Sequence, residues 1–150
     1  MMRCLAGLVI CTLLAAWVLS GVRADEPVVR DEAVLARQAT MRSAKAALGV
    51  LFEMSALRRH FDRDTAREAR AVLLAALAEI PARFEKPYMD RHSRSRPGIW
   101  ENRAEFLRRA IAARQAARGV RTVNLPALRR SLPGMMAACL ACHDRFREPR

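Results

Sequence analysis

Apolar residues recur at three- and four-residue steps in four stretches of the chain, and this spacing predicts four amphipathic α-helices. The stretches cover about residues 31–57, 65–80, 99–118 and 124–146. The face shared in the first stretch consists of Val34, Arg37, Met41, Ala44, Leu48 and Leu51. The chain is rich in Ala, Leu and Arg and shows no convincing strand, which favours helix throughout. Helices of this length predict an all-α, antiparallel up-down-up-down four-helix bundle.

Residues typical of helix ends flank several of these stretches. Thr65 and Glu68 have the spacing of a capping box, which predicts the start of the second helix. Pro81 is expected to stop or bend that helix. Gly119 follows the third helix as a C-terminal cap, and Asn124 is a good N-cap for the fourth.

Two segments interrupt the helical pattern. Phe84 to Gly98 contains two prolines, is basic and has little apolar content, so we expect a loop. Pro133-Gly134 lies inside the fourth stretch. We expect a kink or a local break there, because proline removes one backbone hydrogen bond and clashes with the preceding turn.

The first 24 residues have the pattern of a secretory signal peptide. Arg3 precedes an apolar run from Leu5 to Leu19, and Val22-Arg23-Ala24 supplies small residues at the usual cleavage positions. We expect residues 1–24 to be removed and residues 25–150 to form one periplasmic domain without stable membrane insertion. An uncleaved N-terminal anchor is the alternative.

The chain is strongly basic, with 27 Lys and Arg against 15 Asp and Glu. Basic surfaces often bind nucleic acid, but export and the scatter of arginines among alanines argue against that partner here. An acidic redox partner or an anionic membrane surface fits better, because net charge steers association.

The strongest chemical signal is Cys139-Leu140-Ala141-Cys142-His143 near the end of the chain. Two thiols one helical turn apart can add to the two vinyl groups of a haem and form thioethers. The next residue, His143, can then bind the iron as proximal ligand. The motif therefore predicts one covalently attached haem c with its iron.

Three other interpretations of this cysteine pair remain open. A redox-active dithiol of thioredoxin type belongs beside a βαβ pattern, which this chain lacks. A zinc site would need a second ligand pair, and His60 and His92 stand alone on polar segments, where they are expected to be solvated. A simple disulfide is the third interpretation.

Three segments in order resemble the cytochrome c′ family, the class II c-type cytochromes, over essentially all of the chain after residue 24. They are Arg37-Gln38-Ala39-Thr40-Met41, Arg96-Pro97-Gly98-Ile99-Trp100 and the segment from Cys139 to Arg147. The resemblance implies a left-handed four-helix bundle with the haem between its helices. It also implies that the protein can form a homodimer.

The same resemblance implies roles for matching residues. Arg37 would contact a haem propionate with Gln38 beside it, and Met41 would lie over the distal face of the haem. Phe146 would pack on the proximal side, and Arg147 would lie near His143. From the residues alone, Met41 could equally be core filler. An arginine in an apolar stripe is costly to bury unpaired, which favours a charged partner for Arg37.

Members of this family divide by what occupies the sixth position of the iron. With Met41 as sixth ligand the haem would be low-spin and suited to electron transfer, and this is the function we expect. With an open distal face the haem would be five-coordinate and would bind nitric oxide or carbon monoxide. A helical metal-binding or stress protein without haem is a third class. No catalytic constellation is visible, so we expect a carrier or gas binder rather than an enzyme.

Overall fold

The computed structural model describes residues 31–149, and within them the regular secondary structure is helical. The predicted signal peptide, residues 1–24, lies outside the described residues. Extended pairing in the described part is limited to a bridge between Ser95 and Arg147. The helices are α1 (Glu32–Ser55), α2 (Arg63–Arg83), α3 (Gly98–Glu101), α4 (Arg103–Gly119) and α5 (Leu125–Phe146).

The four long helices form a ring in which each contacts two others. α1 packs on α2 and α5, and α4 packs on α2 and α5. Short connections reverse the chain between α1 and α2 and between α4 and α5, so these neighbours are antiparallel. The predicted up-down-up-down four-helix bundle is confirmed. Among residues 31–149, none of the helices combines the length and apolar character needed to cross a bilayer.

Side-chain caps fix where the helices begin. The Asn124 side chain accepts a hydrogen bond from the Ala127 amide at 2.9 Å, as predicted for the start of α5. The capping box predicted for α2 is wrong. The N-cap of α2 is Asp62, whose Oδ1 accepts a hydrogen bond from the Thr65 amide at 2.7 Å. Asp62 stands three residues before that amide, which is the spacing an N-cap needs, so Thr65 falls inside the first turn.

Proline and glycine interrupt the helices less than expected. Pro81 lies inside α2, which continues to Arg83. A proline within a helix forfeits one backbone hydrogen bond, and here the helix persists past it. α5 likewise continues through Pro133 without a break. Gly119 is the last residue of α4, and the cap is Val120 in an extended conformation, so no left-handed glycine is needed.

The third predicted helix is divided in two at Asn102, whose φ of −117° and ψ of 48° are not helical. The break directs two side chains to one backbone atom. Trp100 Nε1 donates to the carbonyl oxygen of Phe84 at 3.0 Å, and Arg103 Nη1 donates to the same oxygen at 2.9 Å. The short α3 thus anchors the start of the loop that follows α2.

The core runs along the axis of the bundle and is built from aliphatic and aromatic side chains of all four long helices. Near the end of α5 it becomes aromatic: the Phe106 ring lies 5.3 Å from Phe84 and 5.4 Å from Phe146, the latter edge to face. The largest side chains that are completely buried are Val34, Leu51, Met54, Leu73, Ile99, Leu128, Leu132 and Met135.

Candidate functional site

The two cysteines and the histidine of the haem-attachment motif occupy the last two turns of α5. Cys139 and Cys142 are free thiols, partly buried, and both pack against the hydrophobic core. His143 is also partly buried. A three-residue step places both thiols on one face of the helix, whereas Leu140 between them is 60% exposed. The face that carries the thiols is therefore the face turned toward the bundle.

Burial changes the protonation of these groups. It raises the pKa of Cys139, and it raises the pKa of Cys142 to about 11 against the opposing charge of Arg109. A catalytic dithiol needs a lowered thiol pKa, so this environment disfavours the thioredoxin-type interpretation. Burial, with the nearby charge of Arg147, lowers the pKa of His143 and favours the neutral imidazole that binds metals.

A surface pocket of about 260 Å³ opens beside the imidazole of His143. Arg147 follows α5 as its C-cap and donates its amide to the carbonyl oxygen of His143 at 2.9 Å. The pocket therefore brings the histidine of the motif and two guanidinium groups together. Its lining consists of Arg94, His143, Arg147, Glu148 and Pro149.

The loop before α3 holds the end of α5 in place. The Arg96 amide donates to the carbonyl oxygen of Phe146 at 3.0 Å, and the Glu148 amide donates to that of Arg94 at 2.8 Å. Arg96 Nη1 also donates to the carbonyl oxygen of Asp144 at 3.1 Å. Sequence reasoning gave Arg94 and Arg96 no role, because a loop has no periodicity that singles out one arginine among several.

An apolar surface on α1 and α5 remains only partly covered by protein. The side chains that form it pack against the core on one side and keep some exposure on the other. They form two rows at helical spacing on two helices in contact. The rows consist of Met41, Ala44 and Leu48 on α1, and Met136, Cys139 and Cys142 on α5.

These residues fit a haem. The group needs two thiols at thioether spacing, a neutral imidazole next to them and apolar side chains against its ring. The motif at the end of α5 supplies the thiols and the imidazole. The two partly covered rows supply the apolar side chains.

Arg37 is 3% exposed on the apolar face of α1, and its guanidinium is engaged by the loop after α2. It lies between two aromatic rings, 5.1 Å from the centroid of Phe84 and 5.2 Å from that of Trp100. The contact with a haem propionate stays a prediction. The observed partners of the guanidinium are the carbonyl oxygens of Arg83, Lys86 and Tyr88.

The other predicted site residues are dispersed around the same end of the bundle. Gln38 Nε2 donates to the carbonyl oxygen of His92 at 3.3 Å, again in the loop. Met41 is partly buried in the apolar row of α1. Phe146 is buried in the aromatic part of the core. Within residues 31–149, no group of three or more His, Cys, Asp or Glu side chains could hold a metal ion, so the zinc interpretation gains no ligand set.

Comparison with known proteins places this arrangement in context. A family model described as Cytochrome C′ matches residues 32–147, which is most of the chain. No curated protein sequence matches the chain.

Several solved structures share the fold. Cytochrome c′ from Rhodobacter Spheriodes is 19% identical with a TM-score of 0.73, over 79% of this chain and 96% of that one. A nitric oxide complex of a cytochrome c prime variant from Alcaligenes xylosoxidans is 24% identical with a TM-score of 0.69, over 78% and 94%. Cytochrome c′ from Thermochromatium tepidum is 22% identical with a TM-score of 0.69, over 79% and 95%.

Proposed function

This chain belongs to the cytochrome c′ family, and we propose that it is a periplasmic haem protein that binds nitric oxide or carbon monoxide. Proteins of this family carry haem c attached covalently. Cys139 and Cys142 would hold that haem through thioethers, and His143 would bind the iron from the proximal side. When bound, the haem supplies an iron centre that can take a diatomic gas as a further ligand.

The observation that carries the proposal is the apolar, partly covered row of α1. Met41, Ala44 and Leu48 offer no hydrogen-bond donor to a ligand. The hydroxyl of Thr40, the residue before Met41, is engaged with Glu79 Oε2 at 3.2 Å. A small neutral gas needs an apolar space and little else, and Met41 packed as a lid over that space would serve it.

Electron transfer with Met41 as sixth ligand, the function expected from the sequence, has less support. Structures similar to this chain include a nitric oxide complex and a carbon monoxide complex of cytochrome c prime variants from Alcaligenes xylosoxidans. Met41 also shares its row with Ala44 and Leu48, so packing alone accounts for its position. The gas-binding interpretation is therefore the one we adopt.

The absorption spectrum of the purified holoprotein tests this proposal. We expect a broad high-spin spectrum and ready binding of carbon monoxide to the ferrous protein. Met41→Ala and the size-matched control Met41→Leu should leave the spin state unchanged, because neither removes an iron ligand. A sharp low-spin spectrum with a methionine-to-iron charge-transfer band, lost in both variants, would show that Met41 is the sixth ligand and that the protein is an electron carrier.

A further inference from the structure

The end of the bundle opposite the haem-attachment motif is formed by the last turns of α1 and α4 and the first turns of α2 and α5. Arg129 Nε donates to the carbonyl oxygen of Ser55 at 2.8 Å, which joins the start of α5 to the end of α1. Arg70 Nη2 donates to the carbonyl oxygen of Arg118 at 2.7 Å, which joins α2 to the end of α4. We call this end the arginine end, after Arg58, Arg59, Arg63, Arg67, Arg70, Arg114, Arg118, Arg121, Arg129 and Arg130.

The arginine end has a large excess of positive charge. Between Glu105 and Asp144 the sequence contains seven arginines and no carboxylate, and five of the seven belong to this end. Four carboxylates, those of Glu53, Asp62, Asp64 and Glu68, lie among the ten arginines. This leaves a formal excess of six positive charges. Two of the four are used in ion pairs within the protein, Glu53 with Arg59 at 3.2 Å and Asp64 with Arg67 at 3.3 Å.

Among these arginines, Arg114, Arg118, Arg121 and Arg130 are exposed and form no ion pair within residues 31–149. A guanidinium presents its N–H groups in a planar fork that matches the oxygens of a phosphate. Like charges gathered at one end of the bundle repel one another, and an anion among them lowers that repulsion. These four side chains are thus placed to receive an external anionic surface.

Apolar side chains stand at the tips of both loops at the arginine end. Leu57, between α1 and α2, is 68% exposed, and Val123, between α4 and α5, is 50% exposed. Leu57 has a φ of 59°, in the left-handed region that favours glycine, yet the chain carries a leucine there. Exposed apolar tips among arginines are typical of surfaces that rest on a lipid bilayer, where apolar groups enter the interface and cations meet phosphates.

We propose that the arginine end docks on the surface of a membrane that contains anionic phospholipid. The guanidinium groups bind headgroup phosphates, and Leu57 and Val123 enter the interfacial region. A soluble acidic polymer without apolar side chains would match the charge but leaves both apolar tips without a partner of their own kind. Docking in this orientation holds the haem-attachment motif on the side away from the bilayer, where solutes reach it.

Sedimentation with vesicles tests the proposal on the mature holoprotein. Vesicles of phosphatidylglycerol mixed with phosphatidylcholine should carry the protein into the pellet, and vesicles of phosphatidylcholine alone should not. Binding should weaken as salt is raised, because exposed charges are screened. Absence of binding to the phosphatidylglycerol vesicles would overturn the proposal, as would binding to soluble polyglutamate with none to vesicles.

Two triple variants of equal net charge separate a local surface from general attraction. R118Q/R121Q/R130Q removes three unpaired arginines from the arginine end, and R42Q/R91Q/R108Q removes three arginines that lie elsewhere. The first should partition onto the vesicles about 100-fold more weakly, since each arginine near the surface contributes about a factor of five. Equal weakening in both variants would overturn the proposal, and an unchanged haem spectrum verifies that each is folded.

A second pair of substitutions tests the loop tips. Leu57→Gly suits the left-handed backbone at that position and removes the side chain, and Val123→Ser replaces an exposed apolar group. Together they should weaken vesicle binding several-fold without changing its salt dependence. Unchanged vesicle binding in this double variant would overturn the part of the proposal that inserts the tips.

Discussion

Arg37 Nε donates a hydrogen bond to the carbonyl oxygen of Arg83 across 2.8 Å, and this contact ties α1 to the end of α2. The same guanidinium donates to two further carbonyl oxygens of the loop, those of Lys86 and Tyr88. Burial lowers the pKa of Arg37, but arginine remains charged in proteins, so all three bonds are charge-assisted. Arg37 therefore fixes the start of the loop that leads to the pocket beside His143.

Arg37→Gln should lower the free energy of unfolding by about 2–4 kcal/mol, because it removes charge-assisted hydrogen bonds and two aromatic contacts of a buried side chain. Urea unfolding of the holoprotein measures this loss. Limited proteolysis should also cut faster within residues 84–97. Arg42→Gln, at an exposed position on the same helix, is the matched control. Unchanged cleavage of the loop in Arg37→Gln would contradict the role of Arg37 in holding the loop and leave only the predicted propionate contact.

Arg96→Ala should loosen the last turn of α5, which carries His143. Arg96 Nη1 donates to the carbonyl oxygen of Asp144. This oxygen is one of the last four carbonyl oxygens of α5, which have no hydrogen-bond partner within the helix. Its Nε also pairs with Glu148 at 3.4 Å, a partly exposed ion pair that contributes little. We expect the free energy of unfolding to fall by about 1 kcal/mol and amide exchange over the last turn to become faster.

Hydrogen exchange with mass spectrometry measures the effect of Arg96→Ala on peptides that cover the end of α5. Arg91→Ala in the same loop is the control, since its Nε donates a hydrogen bond to the neighbouring side chain of His92. If both variants exchange alike, the contact with Asp144 does not hold the last turn.

The helices could be predicted because their stabilising contacts repeat every turn and so leave a periodic trace in the sequence. The same periodicity exposed Arg37 as a charge in an apolar stripe, which is costly to bury without partners. The haem-attachment motif could be found because its chemistry requires residues one turn apart. Asn124 could be found because a cap acts within three residues of itself.

Contacts between residues distant in sequence left no such trace. The hydrogen bonds of Arg96 to the end of α5 span about fifty residues, and nothing in either segment predicts the other. The break at Asn102 depends on Trp100 and Arg103 reaching one carbonyl oxygen of the loop. Similarly, the choice of Asp62 over Thr65 as N-cap depends on where the preceding turn ends.

Stability at low pH should depend on the N-cap Asp62. Its hydrogen bond with Thr65 lowers the pKa of the carboxyl in the folded protein. The unfolded state therefore binds the proton more readily. The stabilisation is complete above the ordinary pKa of Asp and is lost as pH falls through the lowered value.

Asp62→Asn isolates this effect, because asparagine also caps helices but does not titrate. Urea midpoints measured across the acidic range should fall more steeply for the parent protein than for Asp62→Asn, whereas near neutral pH the two should differ little. Asp64→Asn in the same turn is the control, since its exposed pair with Arg67 contributes little. Parallel curves for the parent and Asp62→Asn would show that the cap does not carry this pH dependence.

Covalent attachment of haem should require both Cys139 and Cys142. Each thiol can form one thioether, so Cys139→Ser and Cys142→Ser alone should each retain haem through the remaining bond. Acid–acetone extraction should leave haem on the parent protein and on both single variants, and release it from the double variant. Intact mass should show one haem per chain in the first three proteins. Because the apolar side chains in the same rows as the two cysteines remain, a double variant can still take up haem without covalent bonds, and its extraction then separates attachment from binding. Extraction of haem from the parent protein would contradict the assignment of haem c. It would favour one of the interpretations of the cysteine pair that involve no haem.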